Sequence, residues 1–341
     1  MNRRHVLITG ASGYLGSQLV KKLSRQLTAA ADGSWRVVAM DVRPVPLKEQ
    51  LPGIEYLIED VRAPHLDEVL EGYDIGTVIH LAAIVNPGRY SNRQLEYSVD
   101  VLGTRNLLEA CVRKGVKRLV VTSSGAAYGY HRDNPSWLYE DAPLRGNEEF
   151  AYAHHKRLVE EMLQRYRQIH PELEQVVFRV STILGKSVRN QITAMLDRPL
   201  LPRLPGNDSP FVFIWDEDMV NCLCKAIDSP ATGVFNAAGD GALSIREVAR
   251  IMGKRCLILP AWFLRMLYGL LKALKKSRYG GEIVKFLQYR PVLANQKLKQ
   301  EYGYTPMLSS REVLELFARA RGYLPAGEEA ALLPGRLEVS H

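Results

Sequence analysis

The 341-residue sequence predicts an α/β fold, a doubly wound parallel sheet with a smaller, discontinuous carboxyl-terminal region. Two observations support this prediction. Short apolar segments, typical of strands buried on both faces, alternate with segments in which apolar residues recur at helical spacing. Glycines also crowd the turn between the first of these strands and the first helix. The composition, 46% hydrophobic and 24% charged, excludes a disordered chain.

The alternation is clearest over residues 1–180. The apolar segments predicted to be strands are 6–9, 35–40, 77–83, 118–122 and 176–180. The segments with helical periodicity are 14–27, 103–113 and 152–169. Helices that connect successive parallel strands cover both faces of one sheet, so these residues are predicted to form one layered domain.

Beyond residue 180 the alternation weakens, and prolines crowd residues 199–210. Strand character returns at 211–215 and 233–236, so we expect residues 211–240 to rejoin the sheet of the first domain. The remaining segments are predicted to form a substrate-binding region at 181–210 and 241–330, followed by a tail at 331–341.

Composition and charge exclude several classes of protein. The four cysteines match no zinc-binding spacing, and no metal site is predicted. The net charge is 45 − 37 = +8, but the basic residues are spread through the chain and form no nucleic-acid-binding motif. No apolar run reaches the roughly 18 residues of a transmembrane helix. The amino-terminal apolar run is too short for a signal peptide, so we expect a cytoplasmic protein.

The glycine-rich turn follows the first strand directly, at Gly10-Ala-Ser12-Gly13-Tyr14-Leu15-Gly16. Glycines here allow a tight turn and close approach of the backbone to a pyrophosphate, and the following helix directs its amino-terminal amides at the same anion. The second strand ends at Asp41, whose carboxylate would accept the hydroxyls of an adenosine ribose and favour NAD. Arg43 would bind a 2′-phosphate, so NADP stays open.

Tyr152 and Lys156 lie four residues apart, which places them on one face of the predicted helix. A lysine ammonium beside the phenol favours the phenolate, so the pair suits proton transfer to or from a carbinol oxygen. Ser124 follows the strand at 118–122, at the sheet edge where ligands bind, and would orient the same oxygen. Ser123 is the alternative for that role.

Together these motifs resemble the extended short-chain dehydrogenase/reductases of the NAD-dependent epimerase/dehydratase type. The resemblance extends over about residues 5–320 and implies an NAD-binding Rossmann domain at 1–180. It also implies a catalytic set of Ser124, Tyr152 and Lys156. Further segments that carry the resemblance are Glu59-Asp60-Val61-Arg62, His80-Leu81-Ala82-Ala83, Val101-Leu-Gly-Thr104 and Gly303-Tyr-Thr-Pro306.

The resemblance implies cofactor contacts at several of these positions. Asp60 and Val61 would bracket the adenine, whereas Leu81, Ala82 and Ala83 would line the nicotinamide side. Tyr152 and Lys156 would also contact the cofactor, Lys156 at the nicotinamide ribose. Many relatives dimerise through the helices that here contain residues 104–111 and 152–168, so a homodimer is a further expectation.

The sequence departs from the family pattern at three places. Asp100 stands where the family usually has Asn. Thr182 stands where nucleotide-sugar epimerases usually have Asn, and the segment that begins at Pro210 lacks their usual Arg. A diphosphate needs charge-assisted donors, so the last two departures argue against a nucleotide sugar. The candidate substrate-binding residues are Thr182, Ser123, Arg89 and His131.

Residues 261–276 are unusually apolar, with a basic end. Between residues 261 and 290 the sequence has seven basic residues and one acidic residue, 7 − 1 = +6. The favoured interpretation is a buried helix with a solvated basic end. The alternatives are an apolar substrate pocket and contact of residues 261–278 with an anionic membrane surface.

Three functions follow from the resemblance and the departures. The favoured one is an NAD-dependent oxidoreductase that transfers hydride to or from a secondary alcohol or ketone, with an apolar, sterol- or lipid-like small molecule as substrate. The alternative is an NAD-dependent nucleotide-sugar epimerase or dehydratase. The third is a non-catalytic nicotinamide-binding scaffold, against which the complete Ser-Tyr-Lys set argues.

Overall fold

The structure, a computed structural model, describes residues 5–30, 36–85, 87, 92–206, 209–277 and 280–325. The predicted tail at 331–341 and the candidate Arg89 lie outside the described residues. The strands are β1 (His5–Thr9), β2 (Val37–Asp41), β3 (Ile54–Ile58), β4 (Ile75–His80), β5 (Arg118–Ser124), β6 (Glu174–Val180), β7 (Thr182–Leu184), β8 (Leu200–Arg203), β9 (Phe213–Trp215), β10 (Gly233–Ala237) and β11 (Arg255–Ile258).

Helices connect most of these strands. They are α1 (Tyr14–Ala30), α2 (Leu66–Gly72), α3 (Arg93–Tyr97), α4 (Thr104–Lys114), α5 (Ala151–Ile169), α6 (Gln191–Leu196), α7 (Asp216–Asp228), α8 (Ile245–Ile251), α9 (Ala261–Ala273), α10 (Ile283–Gln288), α11 (Gln296–Gln300) and α12 (Ser310–Ala320). A π-helical segment, Ser98–Gly103, runs into α4, and a short 3-10 helix, Gly125–Tyr128, follows β5.

The main sheet confirms the predicted doubly wound architecture. Its seven strands are parallel in the order β10-β6-β5-β4-β1-β2-β3. The chain builds outward from β1 in one direction and from β4 in the other, so the strand order reverses between them. Ligands of such sheets bind above the carboxyl ends of the strands at this reversal. Two large clusters of buried apolar side chains form the core of this domain.

The segment after β6 differs in one respect from the expectation that residues 211–240 rejoin the main sheet. β10 does join it, as the edge strand beside β6. β9 instead pairs with β7 in a separate two-stranded parallel sheet. Strand character alone does not say which neighbour a strand will pair with, because the register is set by packing of distant segments. The division into domains otherwise stays a prediction.

Helix α9 does not have the environment that the sequence favoured. It ends at Ala273, and its one fully buried residue is Leu264. Trp262, Met266 and Leu270 are 65%, 60% and 58% exposed. The expectation of a buried helix is therefore wrong, since apolar composition predicts burial only when a partner surface covers every side of the helix. Within the described residues, no helix is long and apolar enough to cross a membrane.

The first turn of α7 connects the two parts of the molecule. The Tyr14 hydroxyl, from the start of α1, donates to Asp216 Oδ2 at 2.5 Å. Asp218 Oδ1 accepts from the Tyr304 hydroxyl at 2.7 Å and from the Met307 amide at 2.8 Å. Burial raises the pKa of Asp218 to about 6. Acidic side chains at this helix start therefore hold the glycine-rich turn and the carboxyl-terminal segment together.

Candidate active site

The principal cleft lies above the carboxyl ends of β1 and β4 and has a volume of about 1580 Å³. It runs from the glycine-rich turn, past the start of α5, to the segment between α9 and α10. The cleft brings together most of the residues predicted from the sequence to bind a cofactor or to act in catalysis. Those that line it are Gly10, Gly13, Tyr14, Leu15, Gly16, Asp41, Asp60, Val61, Leu81, Ala82, Ala83, Ser124, Tyr152 and Lys156.

Two glycines of the turn are required by close backbone contacts. Gly10 has a φ of +72°, and a Cβ there would lie 2.6 Å from the Ala82 amide nitrogen. A Cβ on Gly16 would collide with the Gly10 carbonyl oxygen. The turn after β1 is therefore pressed against the chain after β4 and against the first turn of α1.

Asp41 lies at the end of β2, as predicted. Its Oδ2 accepts from the Ser12 amide and its Oδ1 from the Arg43 amide, both at 3.0 Å. The Arg43 Nε donates to Oδ1 at 3.3 Å. Ser12 thus contributes by fixing the carboxylate. A carboxylate held at this edge accepts ribose hydroxyls and repels a 2′-phosphate.

The next loop carries a second fixed carboxylate. Asp60 accepts from the Arg62 amide and from the Arg62 guanidinium, which holds the pKa of Asp60 below its ordinary value. Asn106, from α4, donates to the carbonyl oxygen of Val61 at 3.0 Å. A Cβ on Gly103 would lie 2.6 Å from a methyl group of Val61, so the loop packs tightly against the start of α4.

The three residues predicted to act in catalysis converge where β5 meets α5. Lys156 Nζ donates to the Thr122 carbonyl oxygen at 2.9 Å and lies 5.8 Å from the centre of the Tyr152 ring. Ser124 Oγ accepts from the Ala126 amide at 3.1 Å, which fixes the hydroxyl at the mouth of the 3-10 helix. Tyr152 and Ser124 are both half-buried and line the cleft. The arrangement can hold a substrate hydroxyl and exchange its proton.

Ser123 lines the cleft but its hydroxyl is bonded to the interior, so its role as a substrate ligand stays a prediction. It is 4% exposed, and its hydroxyl donates to Glu160 of α5. Glu160 also accepts from Arg179 Nε at 2.8 Å. Arg179 in turn donates to the Tyr128 hydroxyl at 2.7 Å. This buried ion pair with its hydrogen bonds fixes β5, α5 and β6 below the catalytic set.

His80 is a buried histidine whose two ring nitrogens both have hydrogen-bond partners. Its Nδ1 lies 2.7 Å from the Thr9 hydroxyl, and its Nε2 lies 2.9 Å from the Thr104 hydroxyl. Thr104 donates its own proton to the Asp100 carbonyl oxygen, so Nε2 of His80 carries the proton. Burial, reinforced by the Lys156 charge, lowers the pKa of His80 to about 3.

Asp100, the departure from the usual Asn, has a partner in α5. Its Oδ2 lies 3.2 Å from Nδ1 of His155, and its Oδ1 accepts from the Ile84 amide at 2.8 Å. His155 is 1% exposed, so this interaction is buried. The pair anchors the chain just beyond Ala83 to the helix that carries Tyr152.

The remaining candidates for substrate binding have different positions. Thr182 is half-buried and lines the cleft. His131 does not line it, because its Nε2 lies 2.7 Å from the Arg145 carbonyl oxygen, within the loop that follows β5. The prediction for His131 is therefore not supported.

Arg290 is a cleft residue that sequence reasoning missed. Its guanidinium stacks 3.9 Å from the centre of the Phe211 ring, and one terminal nitrogen donates to Ser209 Oγ at 2.7 Å. Its Nε is buried and has no hydrogen-bond acceptor among the described residues. Burial lowers the pKa of Arg290 to about 9. A desolvated cation without a carboxylate in the described part of the chain is satisfied best by an anionic ligand.

The model of the NAD dependent epimerase/dehydratase family matches residues 6–238. The chain belongs to this family. Its fold is that of the extended short-chain dehydrogenase/reductases, and the cofactor of the family is NAD. The fixed carboxylate of Asp41 and the glycine-rich turn fit this dinucleotide, since they offer an acceptor for ribose hydroxyls beside a backbone shaped for a pyrophosphate.

The chain is also similar to individual proteins. An uncharacterized protein of Mycobacterium tuberculosis (strain ATCC 25618 / H37Rv) is 25% identical over 324 residues, 94% of this chain and 85% of that protein. The N-acetyl-α-D-glucosaminyl-diphospho-ditrans,octacis-undecaprenol 4-epimerase of Escherichia coli O157:H7 is 32% identical over 194 residues, 56% of this chain and 53% of that enzyme. UDP-glucose 4-epimerase of Thermus thermophilus, solved with NAD, has a TM-score of 0.67 and 24% identity over 94% of this chain and 100% of that one.

Proposed function

We propose that the protein is an NAD-dependent epimerase that inverts a hydroxyl-bearing carbon of a sugar linked to a diphosphate. The observation that carries the proposal is Arg290, a half-buried arginine that lines the cleft and has no carboxylate partner in the described part of the chain. Membership of the NAD dependent epimerase/dehydratase family supports a reaction of this type. A diphosphate between sugar and carrier is the kind of anion that such a donor binds.

The position of Arg290 weakens the argument from the sequence against a diphosphate-linked substrate. The sequence favoured an oxidoreductase for apolar alcohols because two donors usual in nucleotide-sugar epimerases are missing at Thr182 and near Pro210. Arg290 offers another donor, and the aromatic ring of Phe211 beneath it keeps the guanidinium plane oriented. The oxidoreductase and the non-catalytic scaffold both stay predictions that the experiment below distinguishes.

The chemistry needs one proton-transfer group and one hydride acceptor. Bound NAD supplies the second, because it can accept a hydride from a carbinol carbon and return it. Tyr152 takes the hydroxyl proton as the carbinol is oxidised and gives it back on reduction, with Lys156 stabilising the phenolate. Ser124 holds the substrate oxygen. Inversion then requires the sugar ketone to present its other face before the hydride returns.

Epimerisation fits the site better than dehydration. Elimination of water from a neighbouring carbon needs an additional acid and base next to the catalytic set. The two residues that follow Ser124 are Gly125 and Ala126, and neither can exchange a proton. The turn after β5 therefore adds no acid or base to Tyr152, and epimerisation needs only the proton transfer that Tyr152 would supply.

The carrier on the diphosphate can be a nucleoside or a lipid. The Escherichia coli relative is named for a sugar joined through diphosphate to undecaprenol. At the far end of the cleft here, the apolar side chains of Ile283 and Phe286 line the cleft together with Arg290. This combination of an anion-binding group and apolar surroundings supports an amphipathic substrate.

The test distinguishes the three functions by the product that accumulates in each case. The purified protein is denatured to identify any bound dinucleotide, and the folded protein is incubated with NAD and a panel of UDP-sugars, diphosphate-linked polyprenyl sugars and apolar secondary alcohols. The proposal predicts an epimeric sugar, detected by NMR, without net NADH. Steady accumulation of NADH with an alcohol would establish the oxidoreductase. Bound NAD with no turnover of any substrate would favour the scaffold.

A further inference from the structure

One face of α9 is apolar and exposed, and we propose that it docks the protein on an anionic lipid bilayer. We call the side chains of Trp262, Met266, Leu270 and Leu274 the outer face of α9. These positions recur every four residues, so they lie on one side of the helix. Their exposed fractions are 65%, 60%, 58% and 56%.

The opposite side of α9 explains how the helix is held. Leu264 packs with Leu204 and Val284 in a small buried cluster, joined by Tyr268 and Leu287. The helix therefore lies along the protein surface on these side chains. This is the geometry of an interfacial helix, in which one apolar stripe anchors to the protein and a second enters the boundary of the acyl chains.

The charges around the outer face favour an anionic bilayer. Arg265 and Lys272 border it on one side, and Lys275 and Lys276 follow the end of the helix. Lys272 pairs with Glu282 at 2.8 Å, whereas Arg265, Lys275 and Lys276 have no carboxylate partner among the described residues. Cations flanking an apolar stripe are typical of helices that lie on acidic lipid headgroups.

The same charges argue against a second copy of this chain as the partner. A two-fold contact through the outer face would bring the same patch of each chain together. The cations that border the patch would then face one another, which is unfavourable in the low dielectric of an interface. A bilayer offers the apolar layer and the negative charges together.

The outer face is continuous with the mouth of the active-site cleft. Lys275, Lys276 and Ser277 line the cleft, as do Ile283 and Phe286 of the following helix. A protein docked through α9 would hold this mouth near the headgroups. The docking does not depend on the reaction, so it goes beyond the proposed epimerase activity.

The test is flotation of the full chain with vesicles. Vesicles of phosphatidylcholine alone are compared with vesicles that also contain phosphatidylglycerol. We expect the protein to float with the anionic vesicles, with added salt weakening the binding. Replacing both lysines (Lys275→Ala, Lys276→Ala) is expected to lower the binding constant about 30-fold, since each cation near such a surface contributes about a factor of five.

Leu270→Glu tests the apolar contribution and is expected to abolish flotation. Leu47→Glu is its matched control, because Leu47 is 85% exposed and lies in the first domain. An unchanged melting temperature of each variant verifies folding. The fluorescence of Trp262 should shift to shorter wavelength on anionic vesicles, and Trp262→Phe should remove that shift.

Several outcomes would overturn the proposal. One is no flotation of the full chain with either vesicle, and another is equal flotation of Leu270→Glu and the unchanged protein. Light scattering that shows a dimer dissociated by Leu270→Glu would assign the face to a second copy. Flotation gained only on removal of residues 326–341 would assign it to the chain's own tail.

Discussion

The two ends of the cleft differ in how their charged groups are satisfied. At the dinucleotide end, Asp41 is held by Ser12 and Arg43, and Asp60 by Arg62. At the far end, Arg290 and Lys275 line the cleft, and neither has a carboxylate partner in the described part of the chain. The first end is complete within the protein, whereas the second leaves cations for a ligand to satisfy.

The difference shows how one fold serves many substrates. The dinucleotide end uses backbone contacts, such as that between Gly10 and Ala82, and carboxylates fixed by backbone amides and arginines. The far end uses side chains from segments that are distant in sequence, such as Phe211 and Arg290. Substitutions at the far end can therefore change which substrate binds without changing how the cofactor binds.

Removal of the acid/base group should give the largest effect. Tyr152→Phe keeps the ring but cannot exchange a proton, so we expect kcat to fall about 10³-fold. The dissociation constant for NAD, measured by calorimetry, should stay close to that of the unchanged protein. Turnover within tenfold of the unchanged protein would show that another group moves the proton.

Arg290→Gln tests the far end of the cleft. Loss of a charge-assisted hydrogen bond should raise KM for a diphosphate-linked sugar about 10- to 100-fold. Arg290→Lys keeps the charge without the planar donors and should recover part of the loss. The affinity for NAD serves as the control. If both variants weakened NAD binding as strongly as substrate binding, Arg290 would act on the whole fold rather than on the diphosphate.

Gly16→Ala tests the dinucleotide end. The added Cβ would collide with the Gly10 carbonyl oxygen, and overpacking of this kind costs about 1–3 kcal/mol. We expect the dissociation constant for NAD to rise about tenfold or more. Gly72→Ala is the matched control, because a Cβ at that position meets no atom within 4 Å. Equal affinity in both variants would contradict the close contact.

The junction between the regions should respond to pH. The folded protein holds the Asp218 proton up to about pH 6, while the unfolded chain releases it near 3.8. The contribution of this carboxyl to the free energy of unfolding therefore falls as pH rises through this interval, because the unfolded chain releases the proton more readily than the folded protein does. Asp218→Asn is expected to raise the melting temperature by a few degrees at about pH 8 and to have little effect at about pH 4. Equal shifts at both pH values would show that ionisation is not the cause.

The sequence predicted the first domain well, because strands buried on both faces must be apolar throughout. β1, β4 and β5 lie close to their predicted positions for this reason. β3 was missed, and it is the edge strand, only partly buried, so its composition carries a weaker signal. The sequence could place Tyr152 and Lys156 in one cleft because both lie on one helix, and their catalytic role stays a prediction.

The far end of the cleft was not predictable in the same way. Arg290 is more than 130 residues from Lys156 in sequence, 290 − 156 = 134, and only the fold brings both to one cleft. A lone arginine after a short helix has no spacing pattern that marks it. The exposure of α9 was missed because composition cannot report which neighbours cover a helix.

The contact between Gly10 and Ala82 limits how this chain can evolve. Because backbone touches backbone there, the spacing between the glycine-rich turn and the chain after β4 is fixed by the pairing of β1 with β4. No drift of side chains can lengthen or shorten it. Proteins with this fold therefore keep one arrangement of the cofactor site, whereas the residues that bind the substrate can be replaced.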